Sequence, residues 1–240
     1  MTELVSWSQR HDVGELFLSV GAGIDASPDL PWVRAAVREA RAAGLKVSAL
    51  GGDKDWVDQP AEGLDWARSA IATGLFDGIH VDIEPWARHD WDRRRRSVVT
   101  AYLFLLRRLA ANCPLPLEAD IAHWLHEVPT ATGVPLDGAV MDIVDAVTVL
   151  SFRNTATGPD SITDVGAHGL ATARGVGIRC RLAVETKHLG DDPASRKQTF
   201  FGLGGAALAR GLETVDAMET SVASYNGVAV HDFEGWLALG

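Results

Sequence analysis

Residues 76–86 read FDGIHVDIEPW. Apolar Ile79, Val81 and Ile83 alternate with polar His80, Asp82 and Glu84, and the run stops at Pro85. A period of two is the signature of a strand, and proline ends one because it has no N–H for the ladder. One face is therefore aliphatic, while the other carries an imidazole and two carboxylates. An unpaired buried carboxylate costs several kcal/mol, so this polar face belongs either to a paired network or to a working site.

Outward from this strand, short β-rich runs alternate with longer amphipathic ones. Strands are expected over 15–21 (ELFLSVG), 46–51 (KVSALG), 78–84 (GIHVDIE), 117–121 (LEADI), 146–152 (AVTVLSF), 178–185 (IRCRLAVE) and 227–233 (GVAVHDF). Helical periodicity covers 30–43, 61–73 and 92–112, with Gly44 and Gly74 placed as C-caps behind the first two. Weaker helical patterns cover 138–144, 160–174 and 193–213.

A βα repeat fits either an open doubly wound sheet or a closed barrel. The first βα turn, VGAGIDAS, lacks the third glycine and the later acid of a dinucleotide site. Polar residues instead follow nearly every strand: Asp53 and Trp56, Glu84, Asp120 and His123, Arg153 and Asn154, Glu185, and His231. This points to an α/β fold of the (β/α)8 TIM-barrel type, with its site on the C-terminal rim and 1–240 as a single domain. Seven strands are read where eight close a barrel, and residues 1–14 offer only a short polar segment, so the barrel is read as incomplete with its first β/α unit missing, as closed by another chain, or as shortened by a misplaced start codon. An open edge predicts self-association into a homo-oligomer.

Composition narrows the class of partner. A formal charge of −10 repels phosphate backbones and anionic lipids, which argues against nucleic acid and membranes. The run Arg93–Arg96 follows Asp90 and Asp92 at a helix start and reads as a solvated, locally paired face. MTELVSWSQRHDVGELF shows neither a basic n-region nor an apolar core, so a cytoplasmic location is expected. Cys113 and Cys180 read as buried thiols, and no cofactor or metal motif is present.

Strand parity turns further acids and polar groups inward: Glu118 and Asp120, Thr148 and Phe152, Glu185, and His231. Crowded carboxylates cannot all ionise, so one is pushed to a raised pKa and becomes a general acid near neutral pH. Glu84 is the candidate general acid/base, Asp82 its electrostatic partner, and Glu185 and Asp120 the supporting carboxylates.

The stretch FDGIHVDIEP resembles the signature strand DxxDxDxE of the family-18 glycoside hydrolases, the chitinase-like barrels, here as Asp77, His80, Asp82 and Glu84. The resemblance implies that Glu84 is the catalytic acid and that Asp82 orients a substrate acetamido group and shares a proton with it. It implies too that VTVLSF replaces the family's Met-x-Tyr strand and that GVAVHDFEGW is the last strand, with Trp236 as pocket tryptophan. VETKH and HDFEGW resemble bacterial barrels that are similar to glycosidases. Two positions depart from the family: His80 replaces the middle aspartate, and Phe152 replaces the tyrosine that would bond the acetamido carbonyl. Both changes weaken a substrate-assisted route, so chitinase activity itself is not expected. With the missing strand counted first, Glu84 closes strand four and Glu185 strand seven, the acid/base and nucleophile positions of retaining barrel glycosidases. A carboxyl separation of about 5 Å would then mean retention, and about 6.5–9.5 Å inversion.

The expected substrate is a small molecule or an oligosaccharide. The residues expected to line it are His80, Asp53, Trp56, Asp120, His123, Trp124, Phe152, Asn154, His231 and Trp236, with Trp86 nearby. Trp32 and Trp66 lie within helices and are expected in the core. Three other readings use the same residues: an acid/base cyclase, isomerase or lyase on a small metabolite; a metal-dependent hydrolase, which lacks HxH or HExxH spacing; and a non-catalytic sugar-binding barrel, disfavoured by the presence of Glu84.

Overall fold

In the computed structural model, which describes residues 2–240, the chain divides into two compact units, 1–119 and 120–240. The first unit opens with helix α1 (Thr2–Arg10), followed by β1 (Glu15–Ser19), α2 (Leu30–Ala42), β2 (Lys46–Gly51), α3 (Pro60–Ala72), β3 (Gly78–Val81) and α4 (Trp91–Asn112). It runs into β4 (Leu117–Ala122). The strands pair in parallel, with Leu16 opposite Val47, Ala49 opposite Ile79, and His80 opposite Glu118.

Local chemistry explains the elements. Proline stands in the first turn of α2 and of α3, where its missing N–H has no helical partner to lose. Val33, Ala36, Val37 and Ala40 form the buried stripe of α2 at helical spacing. Trp32 falls one position before that stripe and is exposed, which corrects its expected place in the core; Trp66 of α3 is buried and donates from Nε1 to the Val20 carbonyl at 2.9 Å. At the foot of β3, Asp77 accepts the Val47 N–H at 2.9 Å and pairs with Arg41 at 2.6 Å. Burial pushes this carboxyl up, but Arg41 and the Val47 N–H together hold it below the usual range.

The second unit contains α5 (Leu136–Met141), β5 (Ala146–Leu150), α6 (Ile162–Val176), β6 (Arg179–Glu185), α7 (Pro193–Lys197), α8 (Gly205–Glu219), β7 (Tyr225–His231) and α9 (Phe233–Ala238). Val147 lies opposite Cys180, and Glu185 opposite His231, again in parallel. Val147, Val149, Leu182 and Val184 are fully buried beneath α6 and α8, whose Leu170, Ala173, Leu208 and Val215 complete this core.

Seven parallel strands follow the sheet order β1 to β7 and alternate with helices, giving the α/β fold of an incomplete TIM barrel. β3 and β4 are buried throughout, while the terminal strands β1 and β7 are only half-buried along most of their length. Among the described residues, no helix is long and apolar enough to cross a membrane.

The structure departs from expectation in several further places. Within residues 1–14, read as offering only a short polar segment, Thr2–Arg10 form a helix that buries Trp7 and Ser8. β3 stops at Val81 and β5 at Leu150, short of Glu84 and Phe152. The pattern over 193–213 is two helices, because the chain between them breaks off to follow β6: Thr199 bridges Glu185, the Phe200 N–H donates to the Glu185 carbonyl at 2.9 Å, and Gly202 and Gly204 take positive φ.

Candidate active site

In the first unit, the site is built where β2 and β3 end. The Asp82 N–H donates to the Gly51 carbonyl at 3.0 Å, which joins the two strand ends. Gly52 lies so close that a Cβ there would stand 1.8 Å from the Asp82 carbonyl oxygen, so only glycine fits. Gly52→Ala is expected to displace Asp82 and cost about 1–3 kcal/mol or more, as overpacking does. Urea unfolding measures this, and an unchanged midpoint would contradict the close approach.

Glu84 leaves the strand conformation. Its φ of 44° and ψ of 55° are left-handed, and it stands directly before the Pro85–Ala87 3₁₀ turn. For a residue with a Cβ this conformation costs roughly 1–2 kcal/mol, and a following proline disfavours it further. The cost is offset by how the turn is held. The Ala87 N–H donates back to the Glu84 carbonyl at 2.9 Å, and buried Arg88 follows at once. The Arg88 guanidinium bonds Asp90 at 2.9 Å and Asp58 at 2.8 Å and also reaches Asp55 and the Lys54 carbonyl, so it fastens the turn to the segment after β2. Arg94 joins the cluster through Asp58 at 2.8 Å and Asp90 at 3.0 Å. The hydrogen bond from Arg88 and then that from Arg94 hold the Asp90 carboxyl far below the usual range. Arg94 and Arg95 are thus paired with acids, as expected of the run Arg93–Arg96.

The other predicted residues of this unit have structural partners. His80 is 2% exposed, with Nδ1 3.8 Å from Glu118 Oε1 and its ring 4.1 Å from that of Phe17, so solvent does not reach it. Trp56 is 7% exposed and packs on Trp66 at 5.6 Å, which makes it core rather than an open stacking platform. Asp53 is exposed and caps a 3₁₀ turn by accepting the Asp55 N–H at 2.7 Å. Asp82, Glu84 and Trp86 are half-buried.

In the second unit, Glu185, His231 and Phe152 come together. Glu185 Oε1 accepts the N–H groups of Thr186 and Lys187, each at 2.7 Å, and Oε2 accepts from His231 Nδ1 at 2.7 Å. The partner of Glu185 is therefore His231; Lys187 pairs instead with Asp232 at 2.8 Å. The Phe152 ring lies 6.4 Å from that of His231, inclined by 14°. The Thr186 hydroxyl donates to the His231 carbonyl and accepts the Asp232 N–H, both at 2.9 Å, locking the ends of β6 and β7 together.

His123 donates from Nδ1 to the Leu150 carbonyl at 3.2 Å, and burial holds its pKa below the ordinary value. Asn154 spends its amide on the carbonyls of Arg196 and Thr199, stapling the segment after β5 to the one after β6. Asp120 is buried within β4, and Trp124 and Trp236 are half-buried, the latter on α9. Two contributors escaped the sequence reading. Arg88 had a local signal in ARHD, where an acid follows at i+2, but its other acids are some 30 residues away. Thr186 had no signal beyond its place after Glu185.

No protein-family model matches the sequence, and no curated protein matches it. Solved structures do match in fold. The spore cortex-lytic enzyme SleL of Bacillus megaterium aligns with a TM-score of 0.58 at 12% identity, covering 99% of this chain and 69% of that one. SleL of Bacillus cereus aligns at 0.56 with 10% identity, covering 99% and 69%. A chitinase of Chromobacterium violaceum aligns at 0.55 with 10% identity, covering 99% and 93%. The chain spans 61% to 69% of the length of several structures it matches. The likeness shows a barrel fold like that of these enzymes, and the fold alone.

Proposed function

We propose that the chain is a glycoside hydrolase-like enzyme that cleaves a glycosidic bond, with Glu84 as general acid/base and Asp82 as its electrostatic partner. The observation that carries this reading is the conformation of Glu84: a left-handed glutamate before a proline, at the C-terminal end of a barrel strand, in a turn held by the buried Arg88–Asp90 pair. Backbone strain of this kind persists where the surroundings over-determine it, and such places are concentrated at active sites. A carboxyl at this end of a barrel strand is where barrel enzymes keep their chemistry.

In the reaction, Glu84 gives its proton to the leaving oxygen as the bond to the sugar carbon breaks, and the charge of Asp82 favours the protonated form of Glu84 beforehand. Water then supplies the new oxygen. His80 and Phe152 differ from the family-18 pattern, which favours a route that does not depend on a substrate acetamido group. The names of the structural neighbours, chitinase and cortex-lytic enzyme, make glycans the first class to test.

The experiment is release of reducing ends from chitooligosaccharides and from spore cortex, with the first-formed anomer read by NMR. Glu84-dependent hydrolysis of a glycan is expected, with chitooligosaccharides the less favoured of the two substrates. Turnover of a small metabolite through Glu84, with every glycan untouched, would replace the reading with a cyclase, isomerase or lyase on the same barrel.

The half-buried terminal strands β1 and β7 support a further expectation, self-association of the protein. Sedimentation should show a dimer or larger species growing with concentration. A monomer at the highest concentration reached would rule it out.

A further inference from the structure

Glu185 stands at a position where a retaining glycosidase would keep its nucleophile, yet its surroundings suit a different task. It is 3% exposed, and its carboxylate already accepts three hydrogen bonds, two from backbone N–H groups and one from His231. A carboxylate so enclosed, with three of its roughly four lone-pair sites already used, is poorly exposed for attack on a sugar carbon, whereas it is well held for orienting an imidazole.

His231 has the complementary arrangement. Because Nδ1 faces a carboxylate, it must carry the proton, which leaves Nε2 as the site that gains or loses one. The side chain is 54% exposed, and among the described residues no hydrogen bond reaches Nε2. Phe152 covers the ring from the end of β5, and Thr186 holds the backbone on which it sits. The charged groups around it are Glu185 of β6, Lys187 just beyond that strand, and the adjacent Asp232, which itself holds Lys187 at 2.8 Å.

We propose that His231 and Glu185 form a proton-transfer dyad in which Glu185 fixes the ring and His231 Nε2 is the reacting group. This assignment takes its substrate from the glycosidase reading above, and its geometry stands without that reading. Neutral His231 accepts a proton from water as the water oxygen bonds to the sugar carbon; the bond to the departing oxygen breaks, that oxygen leaving protonated as an alcohol, and the imidazolium then returns its proton to solvent. Glu185 acts as a positioning residue and no glycosyl-enzyme forms on it. The Glu185 hydrogen bond, against the opposing effects of burial and Lys187, raises the His231 pKa above its ordinary value and so makes the neutral ring a stronger base.

The test combines three variants with a spectroscopic readout. His231→Asn keeps a donor for Glu185 and deletes Nε2; it should retain the fold and lose about 10²–10⁴-fold in kcat with KM little changed. His231→Gly should recover turnover when free imidazole is added. Imidazole ¹⁵N shifts should show the Nδ1–H tautomer in neutral wild-type His231, and Glu185→Gln should lower its titration midpoint. Turnover preserved in His231→Asn but lost in Glu84→Gln overturns the dyad and leaves the glycosidase reading standing. If the wild type hydrolyses no glycan, that reading falls and the dyad is decided by the ring itself. Carbethoxylation of His231 faster than at the other histidines, with the Nδ1–H tautomer, supports it, whereas an Nε2–H tautomer or a midpoint indifferent to Glu185→Gln overturns it.

Discussion

Glu84→Gln is expected to fold as the wild type does and to lose about 10²–10⁴-fold in turnover, the range associated with removing a positioned proton donor. Glutamine is nearly isosteric with glutamic acid, so the left-handed backbone before Pro85 and the hydrogen bond from Ala87 to the Glu84 carbonyl have no reason to change. The amide still donates a hydrogen bond to a leaving oxygen but cannot release a proton to it. Thermal unfolding and turnover should therefore separate: an unchanged Tm with lost activity. Unchanged turnover would remove Glu84 from the mechanism, and a large fall in Tm would show that its carboxylate serves the fold.

Arg88→Ala should have the largest effect on stability. Its guanidinium is buried against Asp90, and removing it leaves Asp55, Asp58 and Asp90 facing one another with only Arg94 between them. Breaking the buried Arg88–Asp90 pair from one side destabilises strongly, the exposed Asp55 and Asp58 adding less, and in a chain of this length the expected fall in Tm is roughly 6–20 °C. The effect has a pH signature. Asp90 and Asp58 have carboxyls depressed below the usual range, so their contribution is present above the unfolded carboxyl pKa and is lost as pH falls through the folded one. Without Arg88 the folded values move back up, and acid unfolding should begin at higher pH than in the wild type. Arg88→Lys keeps the charge but cannot make the forked contacts, and should fall between the two. If Arg88→Ala matched the wild type in both Tm and acid unfolding, the cluster would not be what holds the turn behind Glu84.

Much of the architecture was legible because its signals are local. Short β-rich runs between amphipathic segments marked all seven strands, the glycines after the first two helices marked their ends, and the polar residues after the strands marked the rim where a site is expected. Parity correctly paired His80 with the face of Glu118, which the parallel register of β3 and β4 realises. Extending that parity to Glu84 and Phe152 was too long a reach, since both lie beyond the last hydrogen-bonded residue of their strands. There the backbone is set by turns, and strand alternation no longer applies.

By itself, then, the sequence determined the βα alternation, the incomplete barrel and the placing of carboxylates at strand ends, because periodicity and punctuation act within a few residues. Tertiary structure alone decided that Trp56 is enclosed while Trp32 is exposed, that the turn carrying Glu84 hangs from Arg88, and that Glu185 belongs to His231, 46 residues away. The physical reason is that these outcomes depend on which strand ends lie side by side and in what register. A carboxylate's role is set by its partners, and here they arrive from elsewhere in the chain.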